Sequence, residues 1–559
     1  MRLRLLLCLF VVLGGVMPGW AQQDGLLQLN DPLHHFLFRQ QVLGRIPDAF
    51  LSHQPLSAYE AQRYLGALDS LASQTISLSP VDWQLYARFQ GRAPGPGVAM
   101  WRKAMPFSFR NGRDFISVEH EDYAVQVNPL FYLTYGRGRR SAREGRDDAT
   151  PVWQNTRGVR ASGHIGKYIF FETRLQENQR RDAWPAFEDT LETAARLGNT
   201  KFNEGKQAYD YWFVTGLVGF RSKYFEIRAG RDHNRWGFGK GSLMLSNYAT
   251  TYDQLQIRTT FWRVQYTNLF TSFASPSTGQ NDFVPRRYGA FHRLAVNLPG
   301  RLQAELFETI MFASDDSLGL RDAGFDVAYL NPIIFYRAVE IERAGRLDNS
   351  LLGGGLAWVA TPGLRLHTQL LIDEFRLGQL GNKWWANKWG WLAGVDVVDW
   401  PVSNLSLRME YARLRPYLYS HRSNTAAYLH YEDLLGHPAG PNARDFALFL
   451  DYQPTTRFRA AMTLAYTQRG RNTATENYGA DPSLSSNTRV SSTDVELLQG
   501  VRQNQWLLEA YAGYELLPYV YLELAVRAES IDDAETGLDR YAAPFIMLRW
   551  GLPFQSTRY

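Results

Sequence analysis

The chain has 559 residues, a formal net charge of +5, one cysteine, 45% hydrophobic and 14% aromatic residues, and a mean hydropathy of −0.33. Length and apolar fraction exclude a mini-domain and a disordered tail, and residues 22–559 contain no apolar run near the ~18–20 residues of a spanning helix. Yet 16 Trp, 30 Tyr and 32 Phe are many for a chain that is polar on average. Membrane-spanning strands reconcile the two figures, because only every second residue then meets lipid.

Arg2 and Arg4 precede the apolar run Leu5 to Leu13, and Pro18, Gly19, Trp20 and Ala21 lead into Gln22. A basic start, a short apolar stretch and a small-residue exit predict a signal peptide over 1–21, cut after Ala21. Cys8 leaves with it, which excludes a disulfide framework, a thiolate metal site and a cysteine nucleophile in the mature chain. Removal of Arg2 and Arg4 lowers the charge of +5 by two. No strong basic field remains, so nucleic acid is not an expected partner.

Residues 22–97 read as a small periplasmic helical domain. Leu33, Phe36, Leu37 and Leu43 recur at helical spacing after Pro32. Ser57 with Glu60 forms a candidate capping box, and Ser79-Pro80 supplies an N-cap followed by proline at the first helical position. The stretch Gly91 to Gly97 then breaks the chain.

Residues 98–559 are expected to form the barrel, and from about residue 105 the period becomes two. Leu364, Leu366, Thr368, Leu370 and Ile372 oppose Arg365, His367, Gln369 and Asp373. Phe458, Ala460, Met462 and Leu464 oppose Arg457, Arg459 and Thr463, and Leu522, Leu524 and Val526 oppose Glu523 and Arg527. This is the pattern of strands with one apolar and one wet face. Tight turns at 166–167, 221–223, 299–300, 361–363, 400–401, 453–455 and 517–518 alternate with long polar connections at 136–156, 179–207, 271–285, 313–349, 376–388, 414–443, 468–500 and 530–541. One-sided loop length is what an outer-membrane barrel shows. The prediction is an all-β transmembrane barrel of about 18 antiparallel strands, with both chain ends periplasmic. Trp550, Phe554 and Tyr559 suit the membrane interface, where a ring body meets a wet tip.

No catalytic constellation is found. Asp373 and Glu374 are adjacent on a strand and so face opposite ways; a lumen ion pair accounts for Asp373. Gly237 to Ser242 has the glycines of a phosphate loop but lacks its spacing and its parallel-sheet setting. His34 and His35 are not spaced for a shared metal, and His292, on the face of Leu294 and Val296, has no serine beside it and reads as an interfacial histidine. Neither a cofactor nor a metal site is expected. Aromatic residues mixed with Asn and Arg remain near the loops, as a carbohydrate surface requires, since sugar C–H faces stack on rings and hydroxyls take polar partners. Asn234, Trp236, Tyr336, Arg337, Trp384 and Asn387 are the candidate glycan-binding residues; rim or lumen packing is the competing account.

His35 to Arg39, Pro55 to Ser57, Glu177 to Gln179, Gly230 to Asn234, Ser242 to Asn247 and His292 to Leu294 resemble blocks of the Wzi-type capsule-assembly outer-membrane proteins. The most specific set is Tyr329 to Tyr336, Asp348 to Ser350, Asp373 to Phe375 and Asn387-Lys388, which also resembles the gliding-motility barrel family of RemB. The resemblance implies a gram-negative outer-membrane barrel that binds exported surface polysaccharide and is not an enzyme. Outer-membrane lipid and surface polysaccharide are the implied partners, with periplasmic or surface proteins left open. Alternatives are a gliding-motility or adhesion factor, and a solute channel, which needs an open lumen.

Overall fold

The computed structural model describes residues 25–28, 31–72, 78–141, 147–181, 200–203, 208–275, 286–313, 325–332, 336, 348–556 and 558. The predicted signal peptide, Arg337 and Tyr559 lie outside the described residues. Eighteen antiparallel strands close into one barrel. They are β1 (Tyr123–Ser141), β2 (Asp147–Ile165), β3 (Ile169–Arg181), β4 (Ala208–Arg221), β5 (Phe225–Asp232), β6 (Tyr252–Phe261), β7 (Val264–Ala274), β8 (Arg286–Leu298) and β9 (Leu302–Ala313). The second half comprises β10 (Asn349–Thr361), β11 (Leu364–Glu374), β12 (Lys388–Val398), β13 (Leu405–Leu414), β14 (Ala443–Tyr452), β15 (Phe458–Arg471), β16 (Val501–Leu517), β17 (Val520–Asp533) and β18 (Gly537–Trp550). Each strand pairs with its sequence neighbour, and β18 closes on β1 with Trp550 opposite Phe131 and Arg540 opposite Ser141.

Alternation sorts the faces as expected. On β11, Leu366 and Leu370 are exposed outward while Arg365, His367 and Gln369 are buried inside. Exposed rings cluster beside the short turns, including Trp262 at 81% and Trp400 at 70%, the position of an interfacial aromatic girdle.

Two expected long connections are strand instead. Residues 136–156 belong largely to β1 and β2, and 530–541 to β17 and β18 around a turn at 534–536. Their polarity read as loop, but β1 and β2 run 19 residues each, about twice what crossing the hydrocarbon requires. Beyond the lipid both strand faces are wet. The segment 233–251 between β5 and β6, conversely, is a long connection that strand periodicity did not mark.

Among the described residues four helices precede the barrel: α1 (Pro32–Val42), α2 (Ala58–Ala72), α3 (Pro80–Phe89) and α4 (Val98–Ala104). Asp31 accepts the Leu33 N–H at 2.8 Å, Ser57 the Glu60 N–H at 3.3 Å and Ser79 the Asp82 N–H at 3.0 Å, satisfying N–H groups that a helix start leaves open. α4 extends the helical part past residue 97, and a short strand, Ile116–Glu119, precedes and pairs with β1, the first long barrel strand. Leu33, Phe36, Leu37, Leu65, Leu85 and Phe89 form a small core among α1–α3.

The polar faces of this helical part are tied to the short-turn mouth of the barrel. Arg39 donates to Asp399 at 2.9 Å, Arg88 grips Glu515 in a bidentate pair at 2.6 and 2.5 Å, and Arg258 of β6 pairs with Glu60 of α2 at 2.7 Å. Ser52 donates to Glu305, which Arg293 also holds. Contacts to strands around the barrel make the helices a stopper in that mouth.

The C-terminal tail also turns inward. Gly551, at φ +68°, redirects the chain after Trp550, where glycine has no Cβ penalty. Phe554 then stacks on lumen-facing Tyr511 at 4.5 Å, and Arg558 donates to Asp445 at 2.8 Å. Phe554 is therefore a lumen residue, not the interfacial ring expected from its distance to the chain end.

Candidate functional site

The connection 233–251 enters the barrel and packs against the segment 415–442. Trp236, Leu243, Met244 and Leu245 join Leu418, Tyr419, Tyr428 and Leu435 in a buried core with inward Phe291, Phe307 and Leu371. Trp236 is 0% exposed and meets Phe291 and Phe307 edge-on. Asn234 is equally committed, donating to Tyr252 at 3.2 Å and accepting from Gln256 at 3.1 Å. Both candidates hold the insertion in place and present no surface to solvent.

The glycine-rich stretch inside this insertion does cradle an anion, and the anion is the protein's own. The N–H groups of Lys240 and Gly241 donate to the Glu410 carboxylate at 2.8 and 3.3 Å, a small nest of backbone donors. Gly237, at φ +120°, brings the chain so close to Gln369 that a Cβ would lie 1.9 Å from its Nε2. Above the insertion, Arg287 of β8 is fully buried and donates to the carbonyls of Thr425 at 3.1 Å, Ala427 at 2.8 Å and Leu429. That one guanidinium pins the 415–442 segment down. Among the described residues, segments enter the lumen from both ends and leave a cavity between them.

Tyr336 lies elsewhere, on the outer wall. The segment 325–332 and Tyr336 cover outward Phe270, Ala290, Ile310 and Phe312. Tyr336 stacks on His292 with centroids 4.2 Å apart and its hydroxyl lies 2.8 Å from Nε2, while Glu308 is 3.5 Å from Nδ1. His292 is thus roofed over rather than interfacial, a contact across 44 residues that strand periodicity cannot show.

Asp373 and Glu374 require a further correction. The register slips between Ile372 and Glu374, a bulge that turns successive side chains toward the same neighbour. Lys388 consequently reaches Asp373 at 3.0 Å and Glu374 at 3.2 Å and donates to the Ser420 carbonyl at 2.8 Å. The pair is an anchor for the 415–442 segment.

Only at the long-loop end do candidate rings reach the surface. Asn387, itself buried, closes the 375–387 connection by accepting the Arg376 N–H at 2.7 Å and donating to its carbonyl at 3.3 Å. Half-buried Trp384 carries the Arg376 guanidinium 5.0 Å from its ring centroid. Half-buried Trp385 meets Trp384 at 6.2 Å and Tyr417 at 5.8 Å, and Arg489 lies 4.3 Å over its ring. Backbone bonds from Trp385 to Ser492 and from Val495 to Lys383 stitch the two connections together, and Lys383 pairs with Glu496. Burial pushes the Tyr417 hydroxyl up to about 12, so it stays protonated and a donor. The arrangement offers flat rings, two guanidinium groups and the exposed hydroxyl residues Ser491, Ser492 and Thr493, which can stack and hydrogen-bond a sugar. Arg376 and Arg489 were not among the sequence candidates, and nothing local marks Arg489, whose ring partner is 104 positions away. Among the described residues no group of three or more His, Cys, Asp or Glu is placed to hold a metal.

A family model described as capsule assembly protein Wzi matches residues 153–532. Among solved structures, the Escherichia coli outer-membrane protein Wzi, described as involved in group 1 capsule assembly and as a carbohydrate-binding β-barrel, is 13% identical. It aligns at a TM-score of 0.56 over 95% of this chain and 100% of that one. Pseudomonas aeruginosa OccK8 (OprE) and OpdO are 9% and 13% identical, at TM-scores of 0.42 and 0.41, covering 77% and 76% of this chain and 98% and 96% of theirs. A comparison with curated proteins finds no match.

Proposed function

The chain belongs to the Wzi family of capsule-assembly outer-membrane proteins, and from that membership we propose that it holds exported polysaccharide at the cell surface, without chemical turnover, on the platform of Trp384 and Trp385. The observation that carries the reading is this pair of half-buried indoles flanked by Arg376 and Arg489 at the long-loop end, the end that faces outward in barrels of this kind. The description of Escherichia coli Wzi as a carbohydrate-binding barrel supports it. So does the packing of the 233–251 insertion and the 415–442 segment inside the barrel, which suits a plugged lumen better than a solute channel.

Aromatic stacking contributes about 0.5–1.5 kcal/mol beyond the area it buries. Trp384→Ala and Trp385→Ala should therefore each weaken polysaccharide binding roughly five- to thirty-fold once lost area is included. Cells carrying either variant should shed polysaccharide into the medium. If the double variant, correctly inserted, retains as much cell-bound polysaccharide as the parent, the platform is not the binding surface.

A further inference from the structure

One cavity of about 170 Å³ lies in the lumen between α1, the 233–251 insertion, the wall from β11 to β18 and the C-terminal tail. Its charged lining is uneven: Arg235, Lys240, Arg365, Arg408, Arg459 and Arg549 face three carboxylates, Asp396, Asp451 and Glu509. Four of these arginines have acid partners. Arg365 and Arg408 share Asp396 at 3.2 and 2.5 Å, Arg459 holds Asp451 at 2.8 Å, and Arg549 takes Glu523 at 2.7 and 2.6 Å.

The two cations of the insertion do not. Arg235 donates to the Gly239 carbonyl at 2.9 Å, and the Lys240 ammonium lies 4.8 Å from the Phe449 ring centroid. Among the described residues neither makes an ion pair with a carboxylate. Glu410, beside the insertion, accepts from the Lys240 and Gly241 backbone N–H groups rather than from either side chain. Partly buried cations that make no ion pair are costly, so the fold favours added negative charge at this point. The same cavity is walled by Phe38, Phe238, Phe449, Tyr511 and Phe554, and its volume, room for about five or six waters, matches a single sugar-acid ring.

We propose that this cavity is a second binding site, distinct from the surface platform, for one small oxyanion-bearing ligand, with its carboxylate or phosphate between Arg235 and Lys240 and its body against Phe238 and Phe449. Burial and the neighbouring Arg408 push Lys240 down to about 8 and Arg235 down to about 10, and a bound anion would restore the stability of both charges. The ligand class follows from the donors: an ammonium and a planar guanidinium favour carboxylate or phosphate over a neutral sugar.

The test is calorimetric titration of the full-length protein in detergent with glucuronate, inorganic phosphate and glucose. Saturable binding of either anion near one per chain is expected, with glucose binding absent. Tighter glucuronate than phosphate identifies a sugar acid as the ligand, and the reverse order identifies a phosphate. Lys240→Met should weaken anion binding about ten-fold or more without lowering the melting temperature of the unliganded protein, since it removes a secluded charge. Lys240→Arg should keep binding. No binding of either anion, binding of glucose as tight as glucuronate, or anion binding unchanged in Lys240→Met would each overturn the proposal. None of these outcomes depends on whether Trp384 and Trp385 hold polysaccharide.

Discussion

Trp236→Ala separates anchoring from glycan recognition. The indole is fully buried and packs on Phe291, Phe307 and the insertion's own Leu243 to Leu245 run. Among the described residues its Nε1 has no hydrogen-bond partner, so truncation removes apolar packing. An aromatic side chain of this kind buries roughly 150–250 Å², worth about 4–6 kcal/mol at ~25 cal/mol/Å², and measured Trp or Phe truncations in cores cost about 3–5 kcal/mol. Taking ~4 kcal/mol, the ratio of docked to undocked insertion should fall about 10³-fold. The barrel ladder itself is untouched, so the effect is local opening rather than global unfolding. Trypsin cleavage after Arg235 and Lys240 reads that opening directly, because cleavage tracks the open population when reclosing is fast. The expected result is a large gain in cleavage with cell-bound polysaccharide retained. An insertion that stays protease-resistant while polysaccharide is lost would refute the reasoning, and would return Trp236 to the binding surface.

Gly237→Ala should also loosen the insertion, since a Cβ there meets Gln369 Nε2 at 1.9 Å and Ser242 Oγ at 2.5 Å from a backbone at φ +120°; a drop in the melting temperature or in protection of 233–251 checks it, and unchanged protection argues against the close approach. Acid should loosen the helical stopper. Burial holds His34 and His53 down at about 3, below the free value near 6.5, so their contribution is complete above pH 6.5 and lost as pH falls toward 3, at up to about 1.4 kcal/mol per pH unit each. The protection factors of α1 and α2 should therefore be flat from pH 8 to 6.5 and fall as the pH drops below that; constant protection to pH 4.5 would contradict the burial assignment. Planar-bilayer recordings should show no steady conductance from the parent protein, and Arg287→Met, which frees the carbonyls of Thr425, Ala427 and Leu429, should raise cleavage within 415–442.

Much of the fold was legible in the sequence because it rests on local rules. Period-two alternation is a property of neighbouring residues on a pleated backbone, so Leu366 and Leu370 could be assigned outward and Arg365 and Gln369 inward before any strand was paired. Proline and glycine at tight turns gave the alternation of short and long connections, and short blocks such as Asp373 to Phe375 pointed to the family. Where strands outran the lipid, as at the ends of β1 and β2, the same rule failed, because a strand wet on both faces looks like a loop.

The site was far less legible. Trp236, Tyr336 and Trp384 are the same kind of feature in sequence, an aromatic among polar neighbours near a strand end. Closure of β18 on β1 is what creates an inside, and only then does Trp236 fall in the lumen, Tyr336 on the outer wall and Trp384 at the rim. The cavity pools residues from α1 to the tail after β18, separations over which no local periodicity carries information, and among the described residues Arg235 and Lys240 make no ion pair while Arg365, Arg408, Arg459 and Arg549 beside them do. The sequence by itself determined a membrane barrel with short connections at one end and long ones at the other, since alternation and loop length are written residue by residue; which aromatics reach the surface and which hold the interior together was decided by the closed cylinder.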